Sequence, residues 1–172
     1  FWGVSFFKLF INFLNPTTTI MRLTDESKAF HFGVYSIVFQ IPYGKVTSYG
    51  MSQVVSFMRL MNCKLTPKYY QGHIAYLLNK PQNSRQVGSS LKHCSFIISQ
   101  LNEKLDPSNL DWLNVNELPW WRVVLSSGKI SPREANGQYI QRDKLLQENV
   151  AVLEGHMVDM DEYGWFPEDI NY

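Results

Sequence analysis

Cysteine is scarce in this chain, and histidine nearly so. Only Cys63 and Cys94 occur in 172 residues, and the four histidines are scattered. No metal-ligand spacing surrounds either cysteine, so neither a metal site nor a disulfide framework is expected. Such sparing cysteine use fits a reducing compartment, cytosolic or nuclear. Long apolar runs are missing as well. The opening stretch FWGVSFFKLFINFL, residues 1–14, is too short to span a bilayer. It also lacks the basic start and small-residue cleavage site of a signal peptide. Residues 1–27 are therefore read as an extension outside the folded domain, with a membrane or partner anchor as the lesser alternative. Positive charge, finally, is absent from one end. From Glu148 to Tyr172 there are seven acidic residues and no Lys or Arg, which leaves 16 basic against 8 acidic groups in the rest of the chain. A basic body with an acidic tail fits a polyanion partner, although charge alone fits a solvated surface equally well.

What is present is a folded domain's composition: 45% apolar, 18% charged and a high 15% aromatic. The apolar residues Phe30, Val34, Ile37, Val38 and Ile41 fall at helical spacing and predict a helix from Ser27 that ends before Pro42. IPYGK is turn chemistry, after which Thr47, Ser48 and Tyr49 lead towards a second helix. GHIAYLLN (72–79) predicts a short helix closed by Asn79 and Pro81. Asn83 or Ser84 caps another, running to about Ile97. Helix, Pro-containing turn, helix is a helix-turn-helix pattern. Residues 99–118 read as loop, Arg122–Leu125 as a short strand, SSGK as a turn and Ile130 as the returning strand. Ser131-Pro132-Arg133-Glu134 is a capping-box signal. After the Asn136-Gly137 break a helix runs from about Tyr139 to Glu148.

Residues 118–124 read LPWWRVV. In an extended segment neighbouring side chains point to opposite faces, so Trp120 and Trp121 cannot both face one core. One of them is a candidate for ligand contact.

In combination and in order, these pieces resemble the DNA-binding domain of the alkylguanine-DNA alkyltransferases, and more closely the alkyltransferase-like proteins of fungi and bacteria. The matching stretches are IPYGKVTSYG (41–50), NKP (79–81), SRQVG (84–88), PWWRVV (119–124), SSGKISPR (126–133) and YGWFP (163–167). The resemblance implies a mainly α, winged-helix-like helix-turn-helix domain with a short β-hairpin beside the pocket, spanning residues 28–172. In the enzymes a Pro-Cys-His-Arg motif carries the alkyl-accepting cysteine. Here Trp120 stands at the cysteine position and Trp121 at the histidine position. An indole has no thiolate to accept an alkyl group by displacement. The resemblance thus implies a non-enzymatic protein that flips O6-alkylguanine out of duplex DNA, holds it, and flags it for nucleotide excision repair. It would act without a cofactor, as a monomer, in the nucleus and cytoplasm.

By the same resemblance Arg85 is a finger that fills the gap left by the flipped base. A cation in a helix's first turn opposes the helix dipole, which favours a functional reason for it. Ser84 and Gly88 are small enough for close approach to the groove, and Gln86 faces sugar or phosphate. Tyr49 contacts the DNA backbone, Arg133 lies against the flipped guanine, and Trp120 lines the alkyl pocket. Trp121 is a possible pocket residue, with core packing the first choice. Arg122 and Glu148 are expected to be structural. MSQVVSFMRLMNCKLTPKYYQ (51–71) departs from the pattern, because the family runs from SYG almost directly into the helix. It is either a translated intron or a surface insertion. Two other functions compete: a helix-turn-helix regulator without lesion preference, and a residual alkyltransferase using Cys63 or Cys94.

Overall fold

The computed structural model describes residues 22–49 and 72–170. The segments 1–21 and 51–71, on which the sequence places an extension and an insertion, lie outside the described residues.

Helix α1 spans Asp25–Gln40. Thr24 caps it, accepting from the Ser27 amide, and Asp25 and Glu26 place negative charge in the first turn, where the helix dipole favours it. Leu23 packs on the core, so the domain takes in residues before the sequence-based boundary at 27. The helix stops where Pro42 withholds its N–H, and Gly44 (φ 71°) makes the turn that follows.

The chain then pairs with a distant partner. Strand β1 (Thr47–Ser48) lies parallel to β2 (Val123–Val124), with Thr47 opposite Val123 and Ser48 opposite Val124. The sequence leads these residues towards a helix; instead they join a non-local sheet, whose register brings Tyr49 beside the tryptophan segment. Gly72 meets Tyr49 again across the undescribed stretch. A Cβ on Gly72 would lie 2.5 Å from the Tyr49 carbonyl oxygen and 2.9 Å from Ser84 Cβ.

Helix α2 (His73–Leu77) ends at Asn79, a left-handed residue (φ 56°), followed by a 3-10 turn at Pro81–Asn83 and helix α3 (Ser84–Lys92). This is the helix-turn-helix element. The helix expected to run unbroken to Ile97 breaks at His93 and continues as α4 (Cys94–Asn102), burying Val87 and Leu91 on one limb and Ile97 and Ile98 on the other. The predicted loop accordingly starts later. Buried Asn102 ties it back, donating to the Leu113 carbonyl and accepting from the Leu113 amide.

A 3-10 turn at Trp120–Arg122 leads into β2. Next come helix α5 (Gly137–Gln147), strands β3 (Val152–Leu153) and β4 (Met157–Val158), and the short helix α6 (Met160–Tyr163). The hairpin is the antiparallel β3–β4 pair, not the segment 122–130. The SSGK turn does form, with the Gly128 amide on the Leu125 carbonyl, but Ile130 then donates to His156 rather than returning onto β2. The capping box does not form either. Arg133 is extended, Ala135 and Asn136 are left-handed, and the helix starts at Gly137.

Two apolar clusters hold these elements. The larger joins α1, α2, α3 and α4 around Val34, Ile37, Val38, Ile74, Val87 and Leu118; the smaller gathers Val46, Val124, Ile130, Leu145, Val150 and Val158. Strand alternation divides β2 between them, Val123 facing the first and Val124 the second. The architecture is helix-dominated with two small sheets.

Candidate nucleic-acid interface

An open cleft of about 600 Å³ lies between α3 and the segment leading into α5, lined by Tyr49, Arg85, Gly88, Lys92, Ser131, Pro132, Arg133, Glu134 and Gly137. That volume falls within the range of small-molecule sites, roughly 300–1,000 Å³. Helical geometry builds one wall, because Arg85, Gly88 and Lys92 at i, i+3 and i+7 share a face of α3. Arg85 is exposed and has no hydrogen-bond or ion-pair partner among the described residues.

Tyr49 forms the end of the cleft. Its ring lies on Gly88, where a Cβ would come within 2.7 Å of Tyr49 Cε2, and its hydroxyl is hydrogen-bonded to Ser131 Oγ. Gly88 is thus needed inside the protein, to let the tyrosine lie against α3. Ser84 is small for a similar reason: it is buried, and its Cβ sits under Gly72. Ser131, whose spacing reads as a helix cap, spends its hydroxyl on Tyr49.

Arg133 occupies the opposite side. Its guanidinium carbon lies 4.9 Å from the Trp120 ring centroid, and Nε donates to Gln141 Oε1. A cation over an indole is worth up to about 2 kcal/mol where water is excluded. Burial lowers the pKa of the guanidinium, partly opposed by nearby Tyr49 and Cys94. Gly137 makes room for this arginine, since a Cβ there would lie 2.8 Å from Arg133 Cβ and 3.3 Å from its Cδ. Trp120 itself packs on the larger cluster and backs Arg133 instead of lining the cleft directly.

The two tryptophans part company. Their rings meet edge to face at 6.2 Å, yet Trp121 packs on the smaller cluster, with Lys144 Nζ 4.1 Å from its centroid. Its Nε1–H donates to Glu148 Oε1 at 2.6 Å. The 3-10 turn, not strand alternation, separates them. Glu148 also accepts from Arg122 Nε at 2.9 Å and from the Gly44 amide at 3.1 Å, while Arg122 Nη1 donates to the Ile41 carbonyl. The Arg122 and Glu148 side chains are 15% and 7% exposed, making a buried ion pair that ties the tryptophan turn to the Pro42–Lys45 turn and the end of α5. Burial pushes the Glu148 carboxyl up, but hydrogen bonds from Arg122, Trp121 and Gly44, with the Arg122 charge, hold its pKa below the ordinary value.

The cleft therefore brings together Tyr49, Arg85, Gly88 and Arg133, with Trp120 behind. Gln86 points elsewhere, into a shallow groove with Thr24, Phe30 and Lys80. Lys92, Glu134 and Gly137 were not singled out from the sequence; the helical spacing of Lys92 from Arg85 is the signal that finds it. Cys94 packs against the larger cluster, and among the described residues no cysteine lines the cleft.

Comparison with known proteins decides the family. Alkyltransferase-like protein 1 of Schizosaccharomyces pombe is 30% identical over 143 residues, covering 80% of this chain and 95% of that protein. The chain belongs to the alkyltransferase-like proteins. The model of the 6-O-methylguanine DNA methyltransferase DNA-binding domain matches residues 66–150. The DNA base-flipping protein of Escherichia coli is 29% identical over 141 residues, covering 82% of this chain and 78% of that one. In three dimensions the chain is similar to S. pombe Atl1 in complex with damaged DNA containing O6-carboxymethylguanine, with TM-score 0.52, 29% identity, and coverage of 84% of this chain and 99% of that one. The S. pombe protein in complex with DNA gives TM-score 0.51 at the same identity.

Proposed function

We infer that this alkyltransferase-like protein binds O6-alkylguanine in duplex DNA, flips the damaged nucleotide into the cleft and transfers no alkyl group. The observation that carries this reading is the Arg133–Trp120 pair at the cleft. By the sequence resemblance Trp120 stands where the enzymes carry their alkyl acceptor, so the pair offers an indole and a half-buried cation instead of a thiol. Extruding a base costs a few kcal/mol of unstacking. A planar guanidinium against the base recovers part of that and tolerates substituents of different size. Arg85, exposed and without a partner among the described residues, fills the vacated stack. Tyr49 presses on the backbone beside the flipped nucleotide, and Gln86 faces sugar and phosphate beyond the cleft. Held open in this way, the lesion is handed to nucleotide excision repair. The DNA-bound relatives support a DNA partner.

Incubation with duplex carrying an isotopically labelled O6-alkyl group tests the non-enzymatic half. The label stays on the DNA while a mobility shift reports binding; label recovered covalently on the protein contradicts the proposal.

A further inference from the structure

Lys92 and Glu134 face each other within the cleft, Nζ to Oε1 at 3.0 Å, with side chains 59% and 87% exposed. Arg85, Lys92 and Arg133 are the basic groups of the lining and Glu134 its acidic one. Arg133 is committed to Trp120 and Gln141, and Arg85 has no partner among the described residues. Lys92 is the cation already neutralised, by a carboxylate in a cleft that otherwise suits an anion. The carboxyl of Glu134 is correspondingly held below its ordinary pKa, first by the hydrogen bond from Lys92 and then by its charge.

We propose that Glu134 is a built-in competitor for DNA: its carboxylate occupies Lys92 as a stand-in for a backbone phosphate, and binding proceeds by exchange of one anion for the other. The proposal rests on the reading that duplex DNA lies across this cleft. Exchange is inexpensive, because so exposed an ion pair contributes little to stability. Its effect is on affinity and on salt dependence. A lysine that arrives with its own carboxylate brings almost no net charge to the phosphates, so it adds little to counterion release. Freed of Glu134, it adds a full contact.

The test uses plain duplex without any alkylated base, so that lesion preference does not enter, and compares the intact chain with Glu134→Gln, Lys92→Gln and the double variant. Thermal melting first checks that all four fold alike. Glu134→Gln should bind about two- to fivefold tighter at moderate salt, the range an exposed ion pair supports. Its plot of log K against log salt should steepen by about 0.9, one phosphate's worth. Both gains should disappear in the Lys92→Gln background. An equal gain with and without Lys92 would mean simple removal of negative charge and would overturn the proposal, as would no gain at all. Failure of the intact chain to bind any duplex would overturn the functional reading and this proposal together. Duplex binding without a Lys92-dependent gain overturns the proposal alone.

Discussion

Replacing Glu148 with alanine should cost this protein much of its stability. The carboxylate accepts from Arg122, from the Trp121 indole and from the Gly44 amide, and the ion pair is almost fully buried. Truncation leaves the Arg122 guanidinium in a low-dielectric setting, with the Ile41 carbonyl as its one hydrogen-bond partner among the described residues and the Tyr43 and Trp121 rings 5.9 Å away. Breaking one side of a buried pair costs about 3–5 kcal/mol. Domains are stable by only about 5–15 kcal/mol, so a melting temperature lower by roughly 10 °C is expected. Urea unfolding followed by tryptophan fluorescence measures it, with Trp121 as a local reporter. Glu148→Gln keeps the shape and can still accept from Trp121 and Gly44, so it should lose less. Under conditions where the alanine variant remains folded, its loss of lesion affinity should be smaller than that of Arg133→Ala, because Glu148 reaches the cleft only through the tryptophan turn. A loss below about 1 kcal/mol would refute the buried pair as the anchor of the tryptophan turn.

The same carboxylate gives a pH signature. Because its folded pKa is depressed, its contribution to stability is complete above the unfolded value and drains away as pH falls through the folded one, so Glu148→Gln should show a shallower acid-side loss. Gly137→Ala would set a Cβ 2.8 Å from Arg133 Cβ, which the backbone holds in place, so it should weaken lesion binding and lower the melting temperature together, measured side by side. Arg85→Ala should weaken binding and reduce flipping, read from fluorescence of 2-aminopurine beside the lesion, without altering urea unfolding. Gly88→Ala drives the Tyr49 ring off α3, so loss of binding should accompany a change in tyrosine ring signals.

Local chemistry was legible in the sequence. Pro42 and Gly44 ended α1 and turned the chain as their backbone limits require, and Asn79 took the left-handed position that closes α2. The motifs located Tyr49, Arg85, Gly88 and Arg133, which the fold gathers into one cleft. What remained hidden was non-local. A parallel pairing of two residues with two residues, Thr47–Ser48 with Val123–Val124, leaves no periodic trace in so short a strand. The β3–β4 hairpin was equally short, two residues to a strand around the Glu154–His156 turn, too few to show alternation. Ser131 misled because a serine before Pro-Arg-Glu has the spacing of a cap, yet its hydroxyl found a better partner in Tyr49 across the fold. LPWWRVV raised the right question with the wrong geometry. The tryptophans do face different surroundings, but through a 3-10 turn, with Trp120 behind Arg133 and Trp121 donating to Glu148.

The central claim is that the cleft recognises a damaged base and not merely DNA. Competition binding at one stated salt concentration, between a duplex carrying a single O6-alkylguanine and the same duplex with plain guanine, tests it most directly. Phosphate contacts are common to both and cancel, so the ratio isolates recognition of the flipped base. Clear preference for the alkylated duplex is expected, abolished by Arg133→Ala. Equal affinity for the two duplexes would contradict it.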